Sequence, residues 1–140
     1  MEKKFNFIIV DDDRLVTMFC SMLIKKNFPN ASIHVFDGPE ACLVYLQSGS
    51  FLADPPVPTV VFLDINMPTM SGWDFLNFYE YCPDAVKNAV SLYILSSSLD
   101  ERDKSRAFSN KYVKDYFVKP LTKEMMFNAT HSSGIEQKLS

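Results

Sequence analysis

Apolar residues along the chain gather into five short runs at fairly even intervals: Phe5 to Val10, Ile33 to Phe36, Val60 to Leu63, Leu92 to Leu95, and Tyr116 to Val118. Each is strand-sized, and most are continuous rather than alternating, which suits strands covered on both faces, as in a parallel sheet. Between them the spacing turns helical. Leu15, Met18, Phe19, Met22 and Leu23 recur at i, i+3, i+4, i+7 and i+8 and predict a helix that buries this stripe, ended by Asn27-Phe28-Pro29-Asn30. Gly38-Pro39-Glu40 opens a second helix carrying Ala41, Cys42, Tyr45 and Leu46, its proline suited to a first turn. A third, from Ser71 or Gly72, carries Trp73, Leu76 and Tyr79 or Glu80, with Pro83 just past it. A fourth begins near Asp100-Glu101, is densely charged through Arg106, and is expected to bury Ala107 and Phe108. The last follows Leu121-Thr122-Lys123-Glu124 and has Met125, Met126 and Ala129 on its apolar side. Prolines 55, 56 and 58 make the stretch 48–58 an irregular connection, and the tail from His131 is expected to fray.

Strand and helix alternating five times define an α/β chain: a doubly wound, five-stranded parallel sheet with right-handed crossovers and five helices. Its flavodoxin-like version has strand order 2-1-3-4-5 and a ligand crevice outside the carboxyl ends of the strands. At 140 residues and 47% apolar, the chain has room for one domain, expected to span 1–140 with its core at about 5–130 and a tail at 131–140. A net charge of −3 and the lack of a long basic run argue against capture of nucleic acid or anionic lipid. A metal cation is the better-matched partner. Cys20, Cys42 and Cys82 are odd in number and widely spaced, so they read as small buried hydrophobes rather than a disulfide framework or zinc site. The opening MEKKFNFIIVDDD is too brief and too acidic for a signal peptide or a membrane span, and the cytoplasm is the expected location.

The polar residues at the strand ends are Asp11, Asp12 and Asp13 after the first run, Asp64 after the third, Ser96 to Ser98 after the fourth, and Lys119 after the fifth. Acids at the ends of adjacent strands approach within roughly 5 Å, given the strand spacing. Two unit charges at that separation repel by about 3 kcal/mol at an effective dielectric near 20. Such a cluster is unfavourable unless a cation lies between the carboxylates or one of them stays protonated. Oxygen-only ligands point to a hard ion, and Mg²⁺, bound by one or two carboxylates and several waters, fits better than a calcium cage; Mn²⁺ could substitute.

The segments VDDD at 10–13, LDINMPTMSG at 63–72, ILSSS at 94–98 and YFVKP at 116–120 together resemble the receiver domain of two-component response regulators, in the family's order and over nearly the whole chain. The resemblance implies that Asp64 is the phosphoacceptor, taking a phosphoryl group from a phosphohistidine on a sensor histidine kinase or histidine phosphotransfer protein. It implies that Asp12 and Asp64 bind Mg²⁺ through their side chains, Asn66 through its backbone carbonyl, and Asp11 through water. Ser96 takes the family's hydroxyl position and Lys119 its cation position, both toward phosphoryl oxygens. The Lys119-Pro120 bond is implied to be cis, and Tyr116 to be the aromatic switch that moves inward when Ser96 engages phosphate.

The implied protein is a stand-alone receiver, not a turnover enzyme, whose output is contact with an unidentified protein target or onward phosphotransfer. Gly72 is expected to permit a tight backbone approach before the next helix. Blander roles are expected for Asp13 as a helix cap and for Ser97 and Ser98 as loop hydroxyls. His34 and His131 are expected to be structural or exposed. Two other readings stay open. An aspartate-nucleophile phosphatase or phosphotransferase would carry a second acid two residues after Asp64, where this chain has Asn66. A vestigial interaction domain would have lost acid, hydroxyl or lysine positions that are all present here.

Overall fold

The computed structural model describes residues 4–53 and 57–131. Of the tail expected to fray, 131–140, His131 instead closes the last helix, while 132–140 and the prolines at 55 and 56 lie outside the described residues. Eleven elements follow one another among the described residues: β1 (Asn6–Val10), α1 (Arg14–Asn27), β2 (Ser32–Phe36), α2 (Pro39–Ser48), β3 (Thr59–Leu63), α3 (Gly72–Tyr79), α4 (Asp84–Ala89), β4 (Val90–Ser96), α5 (Glu101–Ser109), β5 (Val113–Val118) and α6 (Lys123–His131). The strands form one parallel sheet in the order β2-β1-β3-β4-β5, as the sequence predicts. Continuous apolar runs mark the centre of that sheet. All five residues of β3 and all seven of β4 are buried, and each fully buried Val, Leu or Phe contributes about 1.5–3 kcal/mol.

Alternate side chains divide the core between the two faces. Ile8, Val10, Val61, Leu63, Leu92 and Ile94 pack beneath α2, α3, α4 and α5. Phe7, Ile9, Val60, Phe62, Tyr93 and Phe117 pack beneath α1 and α6. Tyr93 stacks on Phe117 at 5.3 Å between ring centroids and donates a hydrogen bond to the Ala129 carbonyl, which fixes α6 against the sheet.

The first helix departs from its expected orientation. Leu15, Met18, Phe19 and Met22 are exposed, from 47% to 77%, while Thr17, Cys20 and Ile24 face the sheet. The buried line runs at i, i+3 and i+7, offset by about one residue from the more hydrophobic stripe. Phe108 is likewise exposed, and only Ala107 of its helix is buried. A sixth helix, α4, is present beyond the five expected: Pro83 starts a short turn that sends Val86 into the core before β4. The three cysteines are free and buried, as expected.

Candidate functional site

The ladder hydrogen bonds continue one residue past the ends of the strands and hold the acids and the lysine there. Asp11 N–H donates to the Phe36 carbonyl at 3.0 Å, Asp64 N–H to the Val10 carbonyl at 2.9 Å, and Lys119 N–H to the Ser96 carbonyl at 2.8 Å. Three side chains distant in sequence therefore leave the sheet at one rim. Asp11, Asp12 and Asp64 each place a carboxylate oxygen so that the three atoms lie within 4.8 Å of one another. The Lys119 ammonium is 2.6 Å from Asp11 Oδ2 and 3.6 Å from Asp64 Oδ2.

Local hydrogen bonds orient the acids further. Asp11 Oδ1 accepts from Asp13 N–H, and Asp64 Oδ1 from Asn66 N–H. Asp13 itself caps α1, its Oδ1 accepting from the N–H groups of Leu15 and Val16, so its expected structural role holds. Gly72 holds the loop after Asp64 close to the next helix. Its N–H donates to the Ile65 carbonyl, and a Cβ there would lie 2.7 Å from the Asp64 carbonyl oxygen and 2.8 Å from Ile65 Cα.

The electrostatics follow from burial and crowding. Burial raises the Asp64 pKa above the usual carboxylate range, the charge of Asp11 adds to the rise, and Lys119 and the Asn66 N–H only partly oppose it. For Lys119, burial favours the neutral amine, but hydrogen bonding to Asp11 and the charges of Asp64 and Asp11 outweigh it and raise its pKa. Asp11 Oδ2 is buried and meets the Lys119 ammonium at 2.6 Å as a close ion pair, with no other donor near it among the described residues. One ammonium facing three carboxylates leaves the site short of positive charge. The residues fit a hard divalent cation: the donors are all oxygens, they converge, and one buried oxygen retains free capacity to bind.

Ser96 ends β4 fully buried, and its Oγ accepts from Ser98 N–H. Tyr116 points inward at 6% exposure, its hydroxyl donating to the Ser98 carbonyl at 2.8 Å. Ser98 Oγ donates to Asp103 on α5 at 2.6 Å. Ser98, expected to be a plain loop hydroxyl, is thus the node that ties Ser96, Tyr116 and α5 together, and Asp103 is a partner that sequence reasoning missed. The one available signal was a Ser-x-x-x-x-Asp spacing across a predicted helix start, which is too common to select. The Lys119-Pro120 bond is cis.

Residues 7–131 match the response regulator receiver domain family. The chain therefore belongs to that family. Among solved structures, a two-component response regulator from Cytophaga hutchinsonii is 27% identical and superposes with a TM-score of 0.81, covering 93% of this chain and 96% of that one. A response regulator receiver protein from Dyadobacter fermentans is also 27% identical, with a TM-score of 0.80 and coverage of 91% and 95%. An uncharacterized response regulatory protein of Staphylococcus epidermidis is 29% identical over 119 residues, 84% of this chain and 41% of its own length. The chain spans about two fifths of the length of the curated relatives it matches. No helix among the described residues is long and apolar enough to cross a membrane.

Proposed function

We propose that this receiver takes a phosphoryl group from a phosphohistidine onto Asp64 and works in a cytoplasmic phosphorelay. The observation that carries the reading is the convergence of Asp11, Asp12, Asp64 and Lys119 at one rim of the sheet, two of the acids buried and the ammonium within 3.6 Å of both. An Asp64 carboxylate oxygen attacks phosphorus, the new O–P bond forms as the N–P bond breaks, and the electron pair leaves with the donor imidazole. Asp12 and Asp64 side chains and the Asn66 carbonyl would hold Mg²⁺, with Asp11 acting through water. When bound, that ion supplies positive charge against the charge on the phosphoryl oxygens. Lys119 neutralises another oxygen, and the Ser96 hydroxyl, which only accepts from Ser98 N–H, keeps its own proton free to donate to a third. Water later cleaves the acyl phosphate.

Leu15, Phe19, Pro120 and Leu121 line an apolar crevice of about 360 Å³ that Lys119 also borders. Because Lys119 stands between this crevice and Asp64, the crevice offers an apolar seat for a protein carrying the phosphohistidine, a use for the exposed flank of α1. Output follows from the Ser98 node. Engagement of Ser96 by phosphate would pull on the loop that Tyr116 and Asp103 already grip, and so shift α5 toward or away from a target protein.

The reading is tested by incubation with acetyl phosphate and Mg²⁺, followed by intact mass. One phosphate adduct on the wild type and none on Asp64→Asn supports it. No adduct on the wild type refutes it, and rapid multiple turnover on unrelated phosphoesters would favour an aspartate-nucleophile enzyme.

A further inference from the structure

A second groove lies on the other flank of α1, toward the sheet edge, and the phosphotransfer reading uses only its Asp11 end. It has a volume of about 760 Å³ and is lined by Met18 and Met22 of α1, Val35 and Phe36 of β2, and Asp11, Arg14 and Asp37 at the end that meets the acidic site. Among the described residues β2 pairs only with β1, which leaves its outer edge open. The N–H of Ser32 and the carbonyl of Phe36 are used by β1, which turns the backbone polar groups of Ile33 and Val35 outward. Edge strands ordinarily discourage pairing with charges, prolines or bulges. This one, Ser-Ile-His-Val-Phe, carries none of these, and Val35 is 46% exposed beside the uncovered Met18 and Met22.

We infer that β2 and this flank of α1 form a two-fold interface between copies of the chain, with the β2 strands antiparallel and the sheets joined edge to edge. The occupant follows from the distribution of charge along the face. At the end near the strand carboxyl termini, the exposed acids Asp37 and Glu40 outnumber Arg14. At the other end, the last turn of α1 exposes Lys25 and Lys26. An antiparallel two-fold sets the acidic end of each copy against the basic end of its partner, twice, while the methionine ridge of each covers the other's Val35. Met side chains suit such a seam because they adapt to irregular apolar surfaces. The same face is self-complementary only in that orientation, as an isologous contact requires. A parallel arrangement would place like charges together at both ends.

Sedimentation velocity over two decades of protein concentration tests the inference. The wild type is expected to pass from monomer to dimer, and more readily at low salt. Val35→Lys, which puts a charge on the open edge at a half-exposed position, is expected to stay monomeric with its circular dichroism and melting temperature unchanged. Lys25→Glu/Lys26→Glu and Asp37→Lys/Glu40→Lys are each expected to lose the dimer alone and to recover a heterodimer when mixed, because one pair of contacts is native and the other reversed in sign. A wild type that is monomeric throughout, or a dimer indifferent to Val35→Lys, overturns the inference. So does an edge that instead binds extended peptides without self-association. Labelling by acetyl phosphate is expected to be the same in Val35→Lys, so failure here and failure of the receiver reading register in different assays.

Discussion

Replacing Gly72 with alanine tests whether the backbone after Asp64 is as tightly held as the geometry implies. The added Cβ would sit 2.7 Å from the Asp64 carbonyl oxygen, 2.8 Å from Ile65 Cα and 3.0 Å from Ile65 Cγ2. Ordinary contact needs about 3.5 Å, so main chain rather than a flexible side-chain tip must retreat by roughly 0.7 Å. Overpacking of this kind costs about 1–3 kcal/mol. Better helix propensity at the first position of α3 returns at most about 1 kcal/mol. The net loss, about 1–2 kcal/mol, corresponds to a melting temperature lower by roughly 3–10 °C for a chain of this size. The displaced atoms carry the nucleophile, so labelling by acetyl phosphate should also slow, by about 10- to 100-fold. Thermal melts followed by circular dichroism and rates from intact mass measure both effects. Gly38→Ala is the control, since its Cβ would meet only the end of the Glu40 side chain at 3.2 Å and should cost under about 1 kcal/mol. Wild-type stability and rate in Gly72→Ala would refute the packing argument.

Three further outcomes follow from the same geometry. In chelator at pH 7, Asp64→Asn is expected to melt above the wild type. The raised pKa of Asp64 means the fold prefers the neutral carboxyl, so that stability is present at acid pH and lost as pH rises through the folded value; the gap should close as pH falls through it. A wild type already the more stable at pH 7 would contradict the sign. Lys119→Met leaves Asp11 and Asp64 without their cation and should cost about 2–4 kcal/mol, partly recovered on acidification, as denaturant melts at two pH values will show. Tyr116→Phe loses the bond to the Ser98 carbonyl, worth about 0.5–1.5 kcal/mol, and should speed amide hydrogen exchange at 97–100; unchanged exchange would remove Tyr116 from the switch.

The site was more legible in the sequence than the surface. Asp11, Asp64 and Lys119 each follow an apolar run directly, and parallel pairing in the order 2-1-3-4-5 brings the ends of such runs together whatever the loops do. The face of α1 was misread for a physical reason. Periodicity reports an apolar stripe but not what it faces, and Leu15, Met18, Phe19 and Met22 form a stronger stripe than the line Thr17, Cys20, Ile24 that the sheet covers. A helix that exposes its most hydrophobic side looks, in sequence, like one packed on a core. The helix α4 escaped notice because six residues are too few to show a period. The Ser98 node depends on loop geometry, which side-chain identities do not encode.

The central claim is that Asp64, and no other acid at the rim, carries the phosphoryl group. Treating the acetyl-phosphate-labelled protein with sodium borohydride reduces an acyl phosphate to the alcohol, and peptide mapping then locates the change. The account predicts homoserine at position 64 alone, dependent on Mg²⁺. Homoserine at position 11 or 12, or at none, would contradict it.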